Sequence, residues 1–323
     1  EIVNNEVSGL DASNSAAIRI GGFMQYFYID NNHVHNNNTG NQEAIRVHEY
    51  TKNFEITNNV VHNNVNIGID VVGWAQYGKP KNGLISGNYA YDNATHAPWA
   101  TGIYMDGPDS MIVEYNISVG ADYGYQLGCE PISDSSTGII FRYNIAYNNH
   151  QYGLGIGGYS GADVYGCQIY NNVFVNNNRE IGFSRNAGHD NIIVNNILYN
   201  PTGQSINYLA TPVNTVIDYN CYWTSYGDMP GANSINANPL FNDVGNNDFT
   251  LQEGSPCIDA GSTICNGLTD FNGVTVPLDG DGDNDSEPDI GAFEYDLYSG
   301  IESISDDVDI ILYPNPTNGN IYI

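Results

Sequence analysis

One asparagine recurs along most of this chain at a nearly constant interval, and that interval constrains the fold more than any other feature. The Asn that opens the apolar half of each repeat falls at Asn5, Asn32, Asn59, Asn88, Asn116, Asn144, Asn172, Asn196 and Asn220, in steps of 27, 27, 29, 28, 28, 28, 24 and 24 residues. A fixed period of this size belongs to a solenoid, where each repeat buries its apolar face only against its neighbours. The repeats are strand-like: FEITNNVV, GLISGNYAY, IIFRYNIAY and CQIYNNVFV alternate apolar with polar residues and carry Asn or Gly at their bends. No segment carries a helix-length amphipathic stripe with caps. Three short strands per repeat predict an all-β fold, a right-handed parallel β-helix of about nine coils. Asn suits the bends because it tolerates left-handed backbone and its side chain bonds neighbouring backbone. Stacked on successive coils, the amides are expected to bond one another in a ladder.

Charge is lopsided, with 8 Lys and Arg against 37 Asp and Glu and a formal net charge of -29. A phosphate binder needs clustered Lys and Arg, so nucleic acid is excluded as a partner. No run approaches the eighteen apolar residues of a spanning helix, so no membrane span is expected. Acidity instead favours solubility and capture of divalent cations. Aromatic rings at a solvated surface are what sugar rings stack on, and the chain carries 25 Tyr and 3 Trp. Of the five cysteines, Cys257 and Cys265 lie close together in a loop-rich stretch and are placed to pair after export. Cys129, Cys167 and Cys221 read as small core residues. EIVNNEV already reads as a coil phrase with no signal peptide before it, so the chain is expected to be the ordered part of a longer, extracellular or surface-held precursor.

The register predicts a solenoid over 1–235. Two insertions, 73–83 and 92–102, break the period, and insertions of this sort commonly build a binding face. From 236 to 295 the pattern changes to a loop-rich cap, followed by an acidic linker over 296–309 and a short terminal segment over 310–323.

A second motif appears once per coil: AIRIGG (17–22), AIRVHEY (44–50), GIDVVGW (68–74), GIYMDGP (102–108), GYQLGCE (124–130), GLGIGGY (153–159) and EIGFSRN (180–186). Positions two and four are apolar in every line, and strand side chains alternate faces, so positions three and five point outward and stack in columns. One column reads Arg19, Arg46, Asp70, Tyr104, Gln126, Gly155, Gly182; the other reads Gly21, His48, Val72, Asp106, Gly128, Gly157, Ser184. Just past them lie Glu49, Trp74, Glu130, Tyr159 and Arg185. Asp70 and Asp106 are one coil and two positions apart, roughly 8 Å between Cα atoms, and Asp106 and Glu130 are related similarly. A general acid and its nucleophile or base flank a glycosidic bond at roughly 5 to 10 Å between carboxyls, so either pair suits that chemistry. Asp70 has no turn residue beside it and points to function. Asp106 also fits a turn before Gly107, and Glu130 also fits a solvated strand end. Arg46 and His48 fit a surface network with Glu43 and Glu49, and Glu43 fits the acidic cluster equally. Lys79 and Lys81 read as solvated. Arg46, His48, Trp74, Tyr104, Tyr159 and Arg185 are the candidate substrate contacts. Apart from these, DGDGDNDSEPD supplies Asp279, Asp281, Asp283, Asp285, Glu287 and Asp289 as hard oxygen ligands, which favours a structural Ca²⁺ without the full EF-hand pattern.

The phrases GIDVVG, GIYMDG and GGY, set in NNVVHNN-type repeats, resemble secreted right-handed parallel β-helix proteins of the pectate lyase and polygalacturonase superfamily over roughly 1–295. The resemblance implies the fold and work on polysaccharides. Its members include hydrolases with paired carboxylates, and lyases or epimerases using Lys, Arg, His or Tyr with Ca²⁺. Three Lys and five Arg are few for neutralising a uronate, so the acid-rich face favours a monomeric glycoside hydrolase acting on a plant or algal glycan. The alternatives are a calcium-assisted lyase using His48, Tyr104 or Arg46, and a noncatalytic glycan-binding adhesin. The ending ILYPNPTNGNIYI resembles the first strand of a type IX secretion sorting domain, which implies that the secretion machinery is a partner.

Overall fold

The computed structural model describes residues 1–297 apart from 13, 94–99, 132–133 and 159–161. Regular structure among these residues is all strand, save two single-turn 3-10 segments at Val244–Asn246 and Thr263–Cys265. The chain winds into a parallel β-helix with three strands per coil. The first face is a sheet of nine strands, from Ile2–Val3 through Gln25–Asp30, Lys52–Thr57 and Lys81–Ser86 to Val216–Asp218. A second face stacks Glu6–Ser8, His33–His35, Val60–His62, Tyr89–Tyr91 and their successors. The third stacks Ile18–Ile20, Ile45–His48, Ile69–Val72, Thr101–Asp106, Tyr123–Gly128, Tyr152–Ile156 and Arg179–Phe183. Its inward residues, among them Ile45, Val47, Ile69, Val71, Ile103, Met105, Tyr125 and Leu127, fill one continuous core.

The expected ladder is present. Each Asn amide from Asn5 to Asn196 donates to the side-chain oxygen of the next coil's Asn, at 2.9–3.1 Å. The two tasks assigned to Asn turn out to be split between neighbours. Positive φ falls on the preceding residue, which is Asn in some coils but Gly87, Tyr115, Tyr143 and Tyr219 in others. The ladder Asn supplies the amide bonds. A second ladder, not anticipated from sequence, runs through Asn37, Asn64 and Asn93 at the next bend, and resumes from Asn149 to Asn177. Buried Glu180 closes it, accepting from the Asn177 backbone and side chain at 3.1 and 2.6 Å.

After 236 the chain does not simply lie across the end of the last coil. It forms a hairpin, Phe241–Asp243 with Asp248–Leu251, and then runs back along the flank. Phe241, Phe249, Leu251, Ile290 and Phe293 pack there against Tyr143, Tyr170, Val173 and Ile197. Residues 288–295 are irregular, with Ile290 and Phe293 turned inward. Cys257 and Cys265 are both buried and free rather than paired, because one packs beside Cys221 and the other beside Tyr143. The sorting-type ending and most of the linker lie outside the described residues.

Candidate functional site

The third face carries both expected columns in register. Arg19, Arg46, Asp70, Tyr104, Gln126 and Gly155 are successive partners across the sheet, and Asp106 lies between Val72 and Gly128. These side chains leave the core as alternation requires, but the two aspartates and Tyr104 do not reach open solvent. Asp70 and Asp106 are each 2% exposed and Tyr104 is 4% exposed. The 41–43 and 66–67 bends cover them together with the first insertion, whose Trp74 lies over the sheet and donates to Asp106. Trp74 and Gly78 form an antiparallel bridge at its neck. Lys79, expected to be solvated, bonds Asp134 at 2.7 Å and the Ser135 carbonyl, stapling the insertion to a distant coil. Lys81 is half exposed and pairs with Asp109 at 2.8 Å. The second insertion falls partly outside the described residues.

Under this roof is a cleft of about 400 Å³ lined by Glu43, Arg46, Asp70, Trp74, Asp106 and Glu130, with Asn41, Gln42, Asn66, Ile67 and Val72. The two aspartates within it are treated oppositely. Asp106 is held by three donors: the Trp74 indole N–H at 3.0 Å, the Glu130 backbone N–H at 2.9 Å, and the Tyr104 hydroxyl. Burial, and then the charge of Glu130, still push it up to about 7, with those donors pulling the other way. Asp70 has a buried oxygen with no hydrogen-bond partner. Burial first, then the charges of Glu43 and Asp106, raise it well above the carboxylate range, against a smaller opposing pull from Arg46. Burial raises both carboxyls, but donors favour the ionised form of Asp106 while a buried oxygen of Asp70 has none, and environments that differ in this way assign acid and base.

Arg46 and Glu43 meet in the cleft, not in the surface network with His48 and Glu49 that the sequence also allowed. They pair at 3.0 Å, with Gln42 on the same guanidinium nitrogen at 2.7 Å, and the pair sits inside the cleft rather than on an outer surface. Glu130 is exposed at the rim, and its carboxyl, which lines the cleft, is raised by burial and by Glu43.

His48 stands apart, in a neighbouring pocket of about 220 Å³ with Arg19, Glu49, Trp74 and Tyr77. Its Nε2 accepts from Arg19 at 2.9 Å, and burial followed by Arg19 lowers its pKa to about 4, so it is neutral with that lone pair occupied. Tyr104 is buried beneath the carboxylates and presents no face for a sugar. Its hydroxyl instead positions Asp106. Arg185 is exposed and lines neither cavity, because its coil lies several turns away. Tyr159 lies outside the described residues. Sequence reasoning overlooked Gln42, the Asp134 staple and Tyr77, which is 57% exposed in the pocket beside the cleft. The insertion was the only available signal for Tyr77, and Asp134 gave none, being 55 residues beyond its lysine.

The acidic run does not converge as one site. Asp279 and Asp281 gather with Asp259, a residue outside the run, with ligand oxygens within 4.8 Å of one another. Asp283 and Asp285 are exposed; the Asp283 carboxylate accepts the Asp285 backbone N–H, and the Asp283 N–H donates to Asp281. Glu287 gives its backbone N–H to Asp259, and Asp289 is buried, accepting from the amides of Asp259 and Tyr295. Among the described residues the cleft carboxylates form no such cluster.

A family model for the right handed beta helix region matches residues 74–175. Among solved structures, the pectate lyase Pel9A is similar at a TM-score of 0.50 and 15% identity, over 84% of this chain and 73% of that one. The complex of XylC with xylose is similar at a TM-score of 0.45 and 11% identity, over 74% of this chain and 53% of that one. No curated protein sequence matches. The fold is the one the repeat predicts: an all-β parallel solenoid.

Proposed function

We propose that this protein is a polysaccharide-acting enzyme, a glycoside hydrolase that uses Asp70 as general acid and Asp106 as base or nucleophile, with Glu130 assisting at the rim. One observation carries the reading: two buried carboxyls share one cleft, one with a buried oxygen that no donor reaches and the other held by three donors. An orphaned acid keeps its proton for a leaving oxygen, while a carboxyl with donors to both oxygens is the easier one to ionise. Trp74 in the cleft and Tyr77 in the neighbouring pocket supply aromatic surface for sugar rings, and the Glu43–Arg46 pair lies where ring hydroxyls would enter. The fold shared with a pectate lyase agrees with a carbohydrate substrate without choosing the reaction.

Elimination on a uronate, with calcium, is the second class. It has less to draw on, because Arg46 is engaged by Glu43 and Gln42, and His48 by Arg19. A noncatalytic glycan-binding solenoid is the third. Incubation with a panel of plant and algal glycans separates the three. New reducing ends, lost in Asp70→Asn and Asp106→Asn, support hydrolysis. Unsaturated products absorbing in the ultraviolet would reassign the cleft to elimination. Binding without turnover would leave an adhesin. Export to the cell exterior through the sorting-type ending, and a monomeric state, belong to the same proposal. Retention of a C-terminally truncated chain in the cells of an exporting host tests the first, and sedimentation tests the second.

A further inference from the structure

On the second face, away from the cleft, three histidines meet. His33 and His35 flank Val34, which is fully buried, so both rings point outward from one strand. In the sheet His35 lies opposite His62, and Glu6 lies opposite His33. One ring nitrogen from each of the three histidines lies within 4.8 Å of the others. The Nε2 atoms of His33 and His62 are 2.7 Å apart, and the Glu6 carboxylate is 3.1 Å from His35 Nε2. We propose that His33, His35 and His62, with Glu6 as fourth ligand, bind a divalent transition-metal ion, zinc best fitting the donor set.

Chemistry and geometry both favour this. Three imidazoles and a carboxylate suit zinc and its neighbours, not calcium or magnesium, which take oxygen ligands. Tetrahedral bonds of ~2.0–2.1 Å place ligand nitrogens ~3.3 Å apart. The His33–His62 pair therefore opens by ~0.6 Å while the widest separation among the histidine nitrogens closes by up to ~1.5 Å, and Glu6, which lies outside that spacing, swings in on its exposed side chain, all within reach of side-chain torsions. The surroundings already orient two of the rings. His62 stacks on Tyr91 at 4.3 Å, and its buried Nδ1 has no partner, so the proton can rest there and leave Nε2 as ligand. His35 Nδ1 faces the Asn36 side-chain amide at 2.8 Å, and turning that amide over supplies the acceptor a metal-bound imidazole needs. Ring stacking accounts for the parallel planes, as it does for Phe27 on Phe54, but not for the convergence of nitrogens. The ligands come from three consecutive coils, so the ion acts as a clip between them. The net charge of -29 draws cations toward the surface in any case.

Tag-free protein, stripped with chelator, is titrated with ZnCl2 by calorimetry and with CoCl2 by visible absorption, and melted with and without zinc. One saturable equivalent is expected, with the cobalt spectrum of a nitrogen-liganded site and a higher Tm. His33→Gln with His35→Gln, both at partly exposed positions, should weaken binding at least ~tenfold and abolish the zinc-dependent Tm rise. His62→Gln, in the buried position, should do the same. Circular dichroism checks that each variant is folded, and the double variant keeps the test open if His62→Gln is not. Zinc affinity unchanged by these substitutions, or no saturable binding by the parent, would overturn the assignment.

Discussion

At the residue scale the cleft stands on a few donors placed around Asp106. Replacing Trp74 by Phe keeps the ring and removes one N–H that favours the ionised carboxylate. The acidic limb of the rate–pH profile should then move to higher pH by ~1 unit, with the alkaline limb little changed. A shared carboxyl pair titrates in two macroscopic steps, so the two limbs report the pair rather than either residue alone. Stability follows with a defined sign. Asp106 is raised in the fold to about 7, so its contribution is complete below about pH 4, where the unfolded chain is also protonated, and is lost as pH rises through 7. Asp106→Asn should therefore abolish activity yet raise the Tm at pH 8, by an amount equivalent to ~2–4 kcal/mol. A Tm that fell at pH 8 would show the carboxylate to be a net stabiliser. The ladder makes a separate prediction. Asn116 accepts from the Asn88 backbone and side chain, and donates to Ile85, Glu114 and Asn144. Asn116→Ala leaves several buried groups unpaired and should cost roughly 2–4 kcal/mol by urea unfolding. Asn5→Ala, at an exposed position, should cost far less.

At the scale of elements, two loops are held by charge rather than by strand pairing. The insertion over the cleft is pinned by Lys79 to Asp134 and Ser135. The flank loop gathers Asp259, Asp279 and Asp281, with Asp259 accepting the amides of Gly280, Asp281 and Glu287. Three carboxylates held so close repel one another without a cation, and a flexible all-oxygen cluster suits calcium. We propose a structural Ca²⁺ there, with Asp259 at its centre and Asp283 and Asp285 outside it. Chelator should lower the Tm, and Ca²⁺ should restore it better than Mg²⁺. Asp259→Asn should remove the response, whereas Asp283→Asn should leave it intact. A melting curve indifferent to chelator and Ca²⁺ alike would mean that the backbone amides alone hold these carboxylates.

At the scale of the whole molecule, every coil depends on its neighbours and the flank segment spans several of them. Its apolar side is buried against the solenoid around Tyr143, Val173 and Ile197. The net charge of -29 works against this compact state by self-repulsion. Added NaCl shortens the screening length to ~3 Å at 1 M, so the Tm should rise with salt in calorimetry without calcium. A falling Tm would mean that ion pairs such as Arg142–Glu114, at 2.7 Å, outweigh the repulsion.

Periodicity was enough for the solenoid, its Asn ladder and the two outward columns, because a strand's alternation and a coil's pitch are local rules that each repeat restates. It placed Asp70, Asp106 and Glu130 near one another for the same reason. Burial was not legible, since whether an outward residue meets water depends on which loop folds over it. Trp74 of the 73–83 insertion and the 41–43 and 66–67 bends turned a presumed solvated column into a cleft, and a Lys79–Asp134 contact with no sequence signature pins that insertion. The histidines at 33, 35 and 62 share the coil register, with His35 and His62 in neighbouring coils, but their convergence was not legible, because side-chain torsions decide which ring nitrogens face one another. The sequence alone determined which residues face outward; only tertiary packing decided which of them are covered, because desolvation is a property of the space around a residue and not of the strand that carries it.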